Sequence, residues 1–265
     1  MNMYLHELRD YSKSTFIWTC SLVVLIILFL SMFPAIAKDA GDFKKMLQNY
    51  PQSVLKAMGL YIDQMFTLLG YYSNILIDVV MFASVQAMNL GTSIISKEVR
   101  DKTADFLLTK PVSRAQIMTA KILAALTCLV ITNVFYLTAA TFMALVVKTE
   151  AFSVGTFILI SLTIFYIQLM FLAIGILVSV ILPKIRSVLP ISLSTVFGFF
   201  VLGMITTTAG EKYMRYISPF KYFDLMYIIN NAGYESLSII LAFSVTIIAI
   251  ACSFIIYIKK DIHAV

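Results

Sequence analysis

Six long apolar runs punctuate the chain, at about 16–36, 71–95, 119–147, 152–182, 188–208 and 236–258. Each holds enough residues for a helix to cross a hydrocarbon layer of about 30 Å. The fourth run is long enough to tilt or protrude. Pro190 falls in the first turn of the fifth, where a missing N–H does no harm. The pattern therefore predicts an all-α integral membrane chain, one domain over residues 1–265 with six transmembrane helices. The segments between the runs differ in character. Residues 37–70 carry charges of both signs between apolar patches, Lys148-Thr149-Glu150 makes a tight turn, and Pro183 to Arg186 makes a short basic one. Residues 209–235 are rich in Tyr and Phe and too charged to span, and Ser218-Pro219 breaks them into two short pieces. Aromatics of this kind favour membrane–water interfaces.

Ahead of the first run, Met3, Tyr4, Leu8 and Tyr11 share a helical face, with Glu7, Arg9, Asp10 and Lys13 elsewhere. That pattern predicts a short N-terminal interfacial helix. Ala35-Ile36-Ala37 resembles a signal-peptidase site. The apolar run before it exceeds the roughly 7–15 residues usual for a signal sequence, which favours a retained helix. The second run is the most polar. At about 100° per residue, Asn74, Asp78, Gln86, Asn89 and Ser93 fall within an arc of roughly 120°, together with Phe82. A carboxylate at membrane depth is costly and normally faces protein or water. The arc is either a pathway-lining or dimer-facing stripe, or a polar helix–helix contact.

Between the second and third runs lies the longest charged island, Ser96 to Lys121. It carries six basic residues (Lys97, Arg100, Lys102, Lys110, Arg114, Lys121) and three acids (Glu98, Asp101, Asp105). Thr103, Phe106, Leu107 and Lys110 have helical spacing. Pro111 stops that helix by pushing its predecessor out of the α region. Ser113 with Gln116 three residues on then forms a capping-box pattern that opens the third span. The island is either a solvated loop or a docking helix for a soluble partner.

Composition narrows the class. Of 265 residues, 60% are hydrophobic and only 13% charged. A soluble domain carries about 25% charged residues, so a water-soluble globule is excluded. The net charge of +6 reads as topology and contact with anionic membrane lipids, not as nucleic-acid binding. Cys20, Cys128 and Cys252 each sit inside an apolar run without metal-ligand spacing, and His6 stands beside acids without a ligand cluster. No metal site is therefore expected. With the amino terminus cytoplasmic, twelve of the twenty basic residues fall on the inner side, the island's six among them. Both termini are then cytoplasmic and the chain is a multi-pass protein of the plasma membrane.

The residues Glu98, Arg100, Thr103, Leu107, Leu108, Pro111, Val112, Ser113, Arg114, Ile117 and Lys121 follow the order E-x-R-x-x-T-x-x-x-L-L-x-x-P-V-S-R-x-x-I-x-x-x-K. This resembles the permease subunits of type 2 ATP-binding-cassette (ABC-2) exporters. Lys102 departs from that pattern, since many members carry Gly there. The resemblance implies a dimer of permeases, with a second copy or a paralogue, each engaging a separate ATP-binding subunit. It makes the island a cytoplasmic coupling helix in which Glu98, Arg100, Thr103, Phe106, Leu107, Pro111 and Arg114 meet that subunit. It also places short re-entrant helices between spans five and six. ATP and Mg would be bound by the partner, because this chain has no G-x-x-x-x-G-K-[ST] loop of its own. No H-E-x-x-H or G-x-S-x-G is present, and Asp78 lacks the second carboxylate of an aspartyl protease, so no catalytic residue is expected. The other reading is a non-transporting membrane scaffold or sensor subunit.

Overall fold

The computed structural model describes residues 3–38, 66–100, 113–182, 185–209 and 214–259. Among them the secondary structure is helical. Helix α1 spans Met3–Ser31 and is followed by the short α2, Phe33–Lys38. Helices α3 (Leu68–Arg100), α4 (Arg114–Val147), α5 (Val154–Ile181) and α6 (Val188–Ala209) follow. Two 3-10 turns (Met214–Ile217 and Pro219–Lys221), the short α7 (Leu225–Asn231) and the long α8 (Ser236–Lys259) complete the order. Six helices are long and apolar enough to cross a membrane, and the chain is an integral membrane protein.

Burial sorts the six. In α3 and α5, 61% of the most apolar window is buried, against 17% in α8. The first two form the inner pair, and the others lie around them. Their crossing is tight because glycines meet backbone on both sides. A Cβ at Gly91 would lie 2.3 Å from the Leu172 carbonyl oxygen, and one at Gly175 would lie 2.7 Å from that of Met88. Close backbone approach of this kind is how membrane helices gain packing energy without a hydrophobic drive between them. The outer helices turn Phe16, Leu28, Phe142, Phe197, Ile247 and Ile255 outward, an apolar exterior suited to lipid.

The interfacial helix expected before span one is instead the start of α1 itself. Glu7, Tyr11, Thr15, Thr19, Leu22, Ile26 and Leu30 are buried at intervals of three and four residues. One continuous stripe, polar at first and apolar later, packs this whole length and leaves no reason for a break. Tyr11 is buried and Met3, Tyr4 and Leu8 partly buried as the apolar face predicts, but Glu7, expected away from it, is buried as well.

The segment between α6 and α8 does form short helical pieces around the Ser218-Pro219 break. Asp224 caps α7, its Oδ1 accepting from the backbone N–H of Met226 (2.9 Å) and of Tyr227 (3.1 Å). Ala232 ends that helix in the left-handed region, with positive φ. Hydrogen bonds hold the segment down: Ser218 Oγ donates to the Phe199 carbonyl (2.7 Å), Ser238 Oγ to that of Tyr222 (2.5 Å) and Tyr234 Oη to that of Leu159 (2.6 Å). Arg215 pairs with Glu235 and lies over the Tyr216 ring. Many of the aromatics face inward. Tyr166 of α5 stacks on Phe223 and meets Tyr234 and Phe243 edge-on, while Phe171 packs against Phe199 and Phe220. Burial lowers the pKa of the Lys221 ammonium despite the opposing pull of Asp224.

Candidate translocation path and coupling end

The polar arc of α3 divides. At its edge, Gln86 is buried with both polar atoms hydrogen-bonded: its Nε2 donates to Thr132 Oγ1 of α4 (2.9 Å) and its Oε1 accepts from Gln168 Nε2 of α5 (3.2 Å). Gln168 also donates to the Ala83 carbonyl (3.2 Å), and its Oε1 accepts from Asn133 Nδ2 (2.6 Å). The Thr132 hydroxyl donates to the Cys128 carbonyl (3.1 Å), which spends its only proton. The Thr19 hydroxyl, 2.9 Å away, must therefore donate to it. Four helices, α1, α3, α4 and α5, are joined at one level by this network. A second buried group links α3, α4 and α5 nearer the start of α3. There the Tyr72 hydroxyl lies 2.7 Å from Ser161 Oγ and 3.1 Å from the Tyr136 hydroxyl, and its ring stacks on Phe157.

The rest of the arc faces away from these bonds. Asp78 is exposed, Phe82 is 44% exposed, and Asn74 and Asn89 are half-buried. None of Asn74, Asp78 and Asn89 hydrogen-bonds to another described residue. Asp78 lies about 15 Å along α3 from its first residue. Farther along, Asn89, Gln86, Leu90 and Ser93 of α3 and Tyr11, Ser14, Thr15 and Trp18 of α1 line a cleft of about 50 Å³. Tyr11 and Ser93 join across it at 3.0 Å. The cleft is rich in hydroxyls and amides, and none of these lining side chains is ionised.

The coupling residues expected on the island are only partly within the described residues. Glu98 and Arg100 belong to the last turn of α3, with their side chains outside the described ones, and Thr103, Phe106, Leu107 and Pro111 lie outside altogether. Beyond them the capping box forms as the spacing predicts. Ser113 Oγ accepts from the Gln116 backbone N–H (3.2 Å), and Gln116 Oε1 accepts from that of Ser113 (3.0 Å). Arg114, the first residue of α4, donates to the Ile258 carbonyl at the end of α8 (3.3 Å). Sequence reasoning missed the centre of this end. Lys121, a flanking cation by position, is 1% exposed and pairs with the buried Glu7 at 2.7 Å. The signal available was register: at about 100° per residue Glu7 falls inside the arc of Met3, Tyr4, Leu8 and Tyr11, not apart from it as expected above.

No group of three or more His, Cys, Asp or Glu side chains among the described residues could hold a metal ion. The family model described as ABC-2 family transporter protein matches residues 1–262. The chain belongs to the ABC-2 transporter family. It is therefore a membrane subunit for transport, and multi-pass, as the six long helices require. No curated protein matches the chain.

Proposed function

We propose that this ABC-2 chain, paired with a second copy or a paralogue, forms the translocation path of an ATP-driven exporter, and that a separate ATP-binding subunit drives it. The observation that carries the reading is the outward half of the α3 arc. Asn74, Asp78 and Asn89 place polar groups on a helix long and apolar enough to span a membrane without a hydrogen-bond partner among the described residues, while both polar atoms of the Gln86 amide beside them are hydrogen-bonded. Unpaired polar groups on the outside of one chain are expensive in hydrocarbon. A second permease and a hydrated path between the two would relieve that cost. On this reading ATP and Mg belong to the partner, and hydrolysis is the partner's chemistry. Residues Glu98, Arg100, Thr103, Phe106, Leu107, Pro111 and Arg114 form the coupling surface on the cytoplasmic side. A helix that seats Phe106 and Leu107 in a groove of that subunit gains about 1.5–3 kcal/mol from each.

The test is purification of the tagged chain from its native membrane. A soluble ATP-binding protein should accompany it in stoichiometric amount. The Phe106→Asp/Leu107→Asp variant should remain in the membrane and lose that protein. Undiminished co-purification with the variant removes the coupling role from these residues. Absence of any ATP-binding protein from the wild-type preparation instead supports a scaffold or sensor.

A further inference from the structure

One ammonium ties three helices together where the charged island begins and ends. Lys121 Nζ, on α4, donates to Glu7 Oε1 of α1 (2.7 Å) and to the Ile94 carbonyl of α3 (2.8 Å). Lys121 is 1% and Glu7 4% exposed. The other Glu7 carboxylate oxygen is buried with no hydrogen-bond partner among the described residues. Around this point the first turns of α1 are fastened to both neighbours. The Tyr4 hydroxyl meets Thr127 Oγ1 of α4 at 2.9 Å, the Tyr11 hydroxyl meets Ser93 Oγ of α3 at 3.0 Å, and Asp10 pairs with Lys97 of α3. The helices so fastened are the two that flank residues 101–112 in the chain.

A buried ion pair is a poor choice if stability is all that is required. Desolvating two charges costs several kcal/mol, and apolar residues of similar volume often serve as well or better. A half-satisfied carboxylate adds to the cost. What the pair offers that apolar contact does not is direction. Hydrophobic burial is indifferent to orientation, so α1, α3 and α4 could slide past one another across it. An ammonium shared between one carboxylate and one backbone carbonyl fixes their mutual register.

We propose that the first three turns of α1, through Glu7 and Lys121, lock the end of α3 and the start of α4 into one rigid body, so that a push on the island moves both helices together. Glu7 and Lys121 are positioning residues: they touch neither cargo nor nucleotide. The proposal rests on the ATP-driven reading above.

The experiment uses the complex of the permease with its ATP-binding subunit, reconstituted in bilayers, with Cys20, Cys128 and Cys252 changed to Ala. An environment-sensitive fluorophore is placed at Phe82→Cys on α3 or, separately, at Phe135→Cys on α4; both positions are exposed. The probe is a non-hydrolysable ATP analogue with Mg. In the wild type both labels should respond to the nucleotide. In the Glu7→Leu/Lys121→Met variant the ATP-binding subunit should still co-purify and the thermal midpoint should hold, but the response at one or both labels should be lost. Lys121→Arg, which keeps donors for both the Glu7 carboxylate and the Ile94 carbonyl, should retain the wild-type response although it changes the packing more than Met does. Wild-type responses at both labels in the apolar variant overturn the proposal and leave the ATP-driven reading standing. Failure of the wild-type chain to hold an ATP-binding subunit removes that reading, and the proposal with it.

Discussion

Gln86 and Asp78 share one arc of one helix and meet opposite surroundings, so they should answer differently to substitution. Gln86→Leu removes a donor to Thr132 and an acceptor for Gln168, both between helices. Interhelical hydrogen bonds in membranes contribute about 1 kcal/mol each, so the variant should show a lower thermal midpoint in detergent. Asp78→Asn touches no described hydrogen bond and should leave that midpoint unchanged. If Asp78 faces the path, its effect should appear instead in nucleotide-driven transport or in cargo stimulation of ATP hydrolysis. A fall in midpoint for Asp78→Asn with transport intact would mean that the carboxylate bonds within the assembly. The wheel of α3 puts these residues on one arc but cannot separate them. A wheel describes one helix, whereas the division depends on where α4 and α5 stand. Asn133 and Gln168 are each the lone amide of an apolar span, which the sequence displays. Their 2.6 Å bond was not legible, because it depends on the depth at which two helices are aligned.

At the scale of elements, the inner pair α3 and α5 depends on hydrogen atoms where other residues carry side chains. Gly91→Ala places a methyl carbon 2.3 Å from a backbone carbonyl oxygen, which no rotamer change can relieve. The helices must part, at a cost of about 1–3 kcal/mol. Gly175→Ala should behave similarly at its 2.7 Å contact. Gly198 of α6 is the control. A Cβ there meets nothing within 4 Å. Gly198→Ala should therefore raise the midpoint through helix propensity, by about 0.5–1 kcal/mol. Equal effects at Gly91 and Gly198 would show that α3 and α5 do not cross as described. Gly175 stands inside an apolar run, where a glycine marks a point of close packing. Gly91 was not legible in this way, because it sits in the most polar span and its partner carbonyl lies far along the chain. Element ends were legible where local chemistry sets them: Ser113 and Gln116 start α4, and Ser218-Pro219 interrupts the segment after α6. The start of α1 was not. Its polar first turns resemble a surface helix until Lys121 and Ser93 are brought beside them.

For the whole molecule, the orientation inferred from basic residues meets a test in the ion pairs. Lys121 is paired with Glu7 and Lys97 with Asp10, so two of the island's cations are partly neutralised in the folded chain. That does not weaken the orientation, because acids contribute little to the topological bias and lysines near span ends count most. The charges are read as each span inserts, before α1 and α4 can be packed together. The expectation is therefore that residue 113 is cytoplasmic and residue 149 external. In whole cells, with the three native cysteines changed to Ala, Thr149→Cys should react with a membrane-impermeant maleimide. Ser113→Cys should react only after the membrane is opened. Both positions are exposed in the fold, so a difference between them reports sidedness and not burial. The reverse pattern would put the island on the outer face. A cytoplasmic ATP-binding subunit could not then reach Phe106 and Leu107, and the coupling surface would have to be sought at the aromatic segment between α6 and α8.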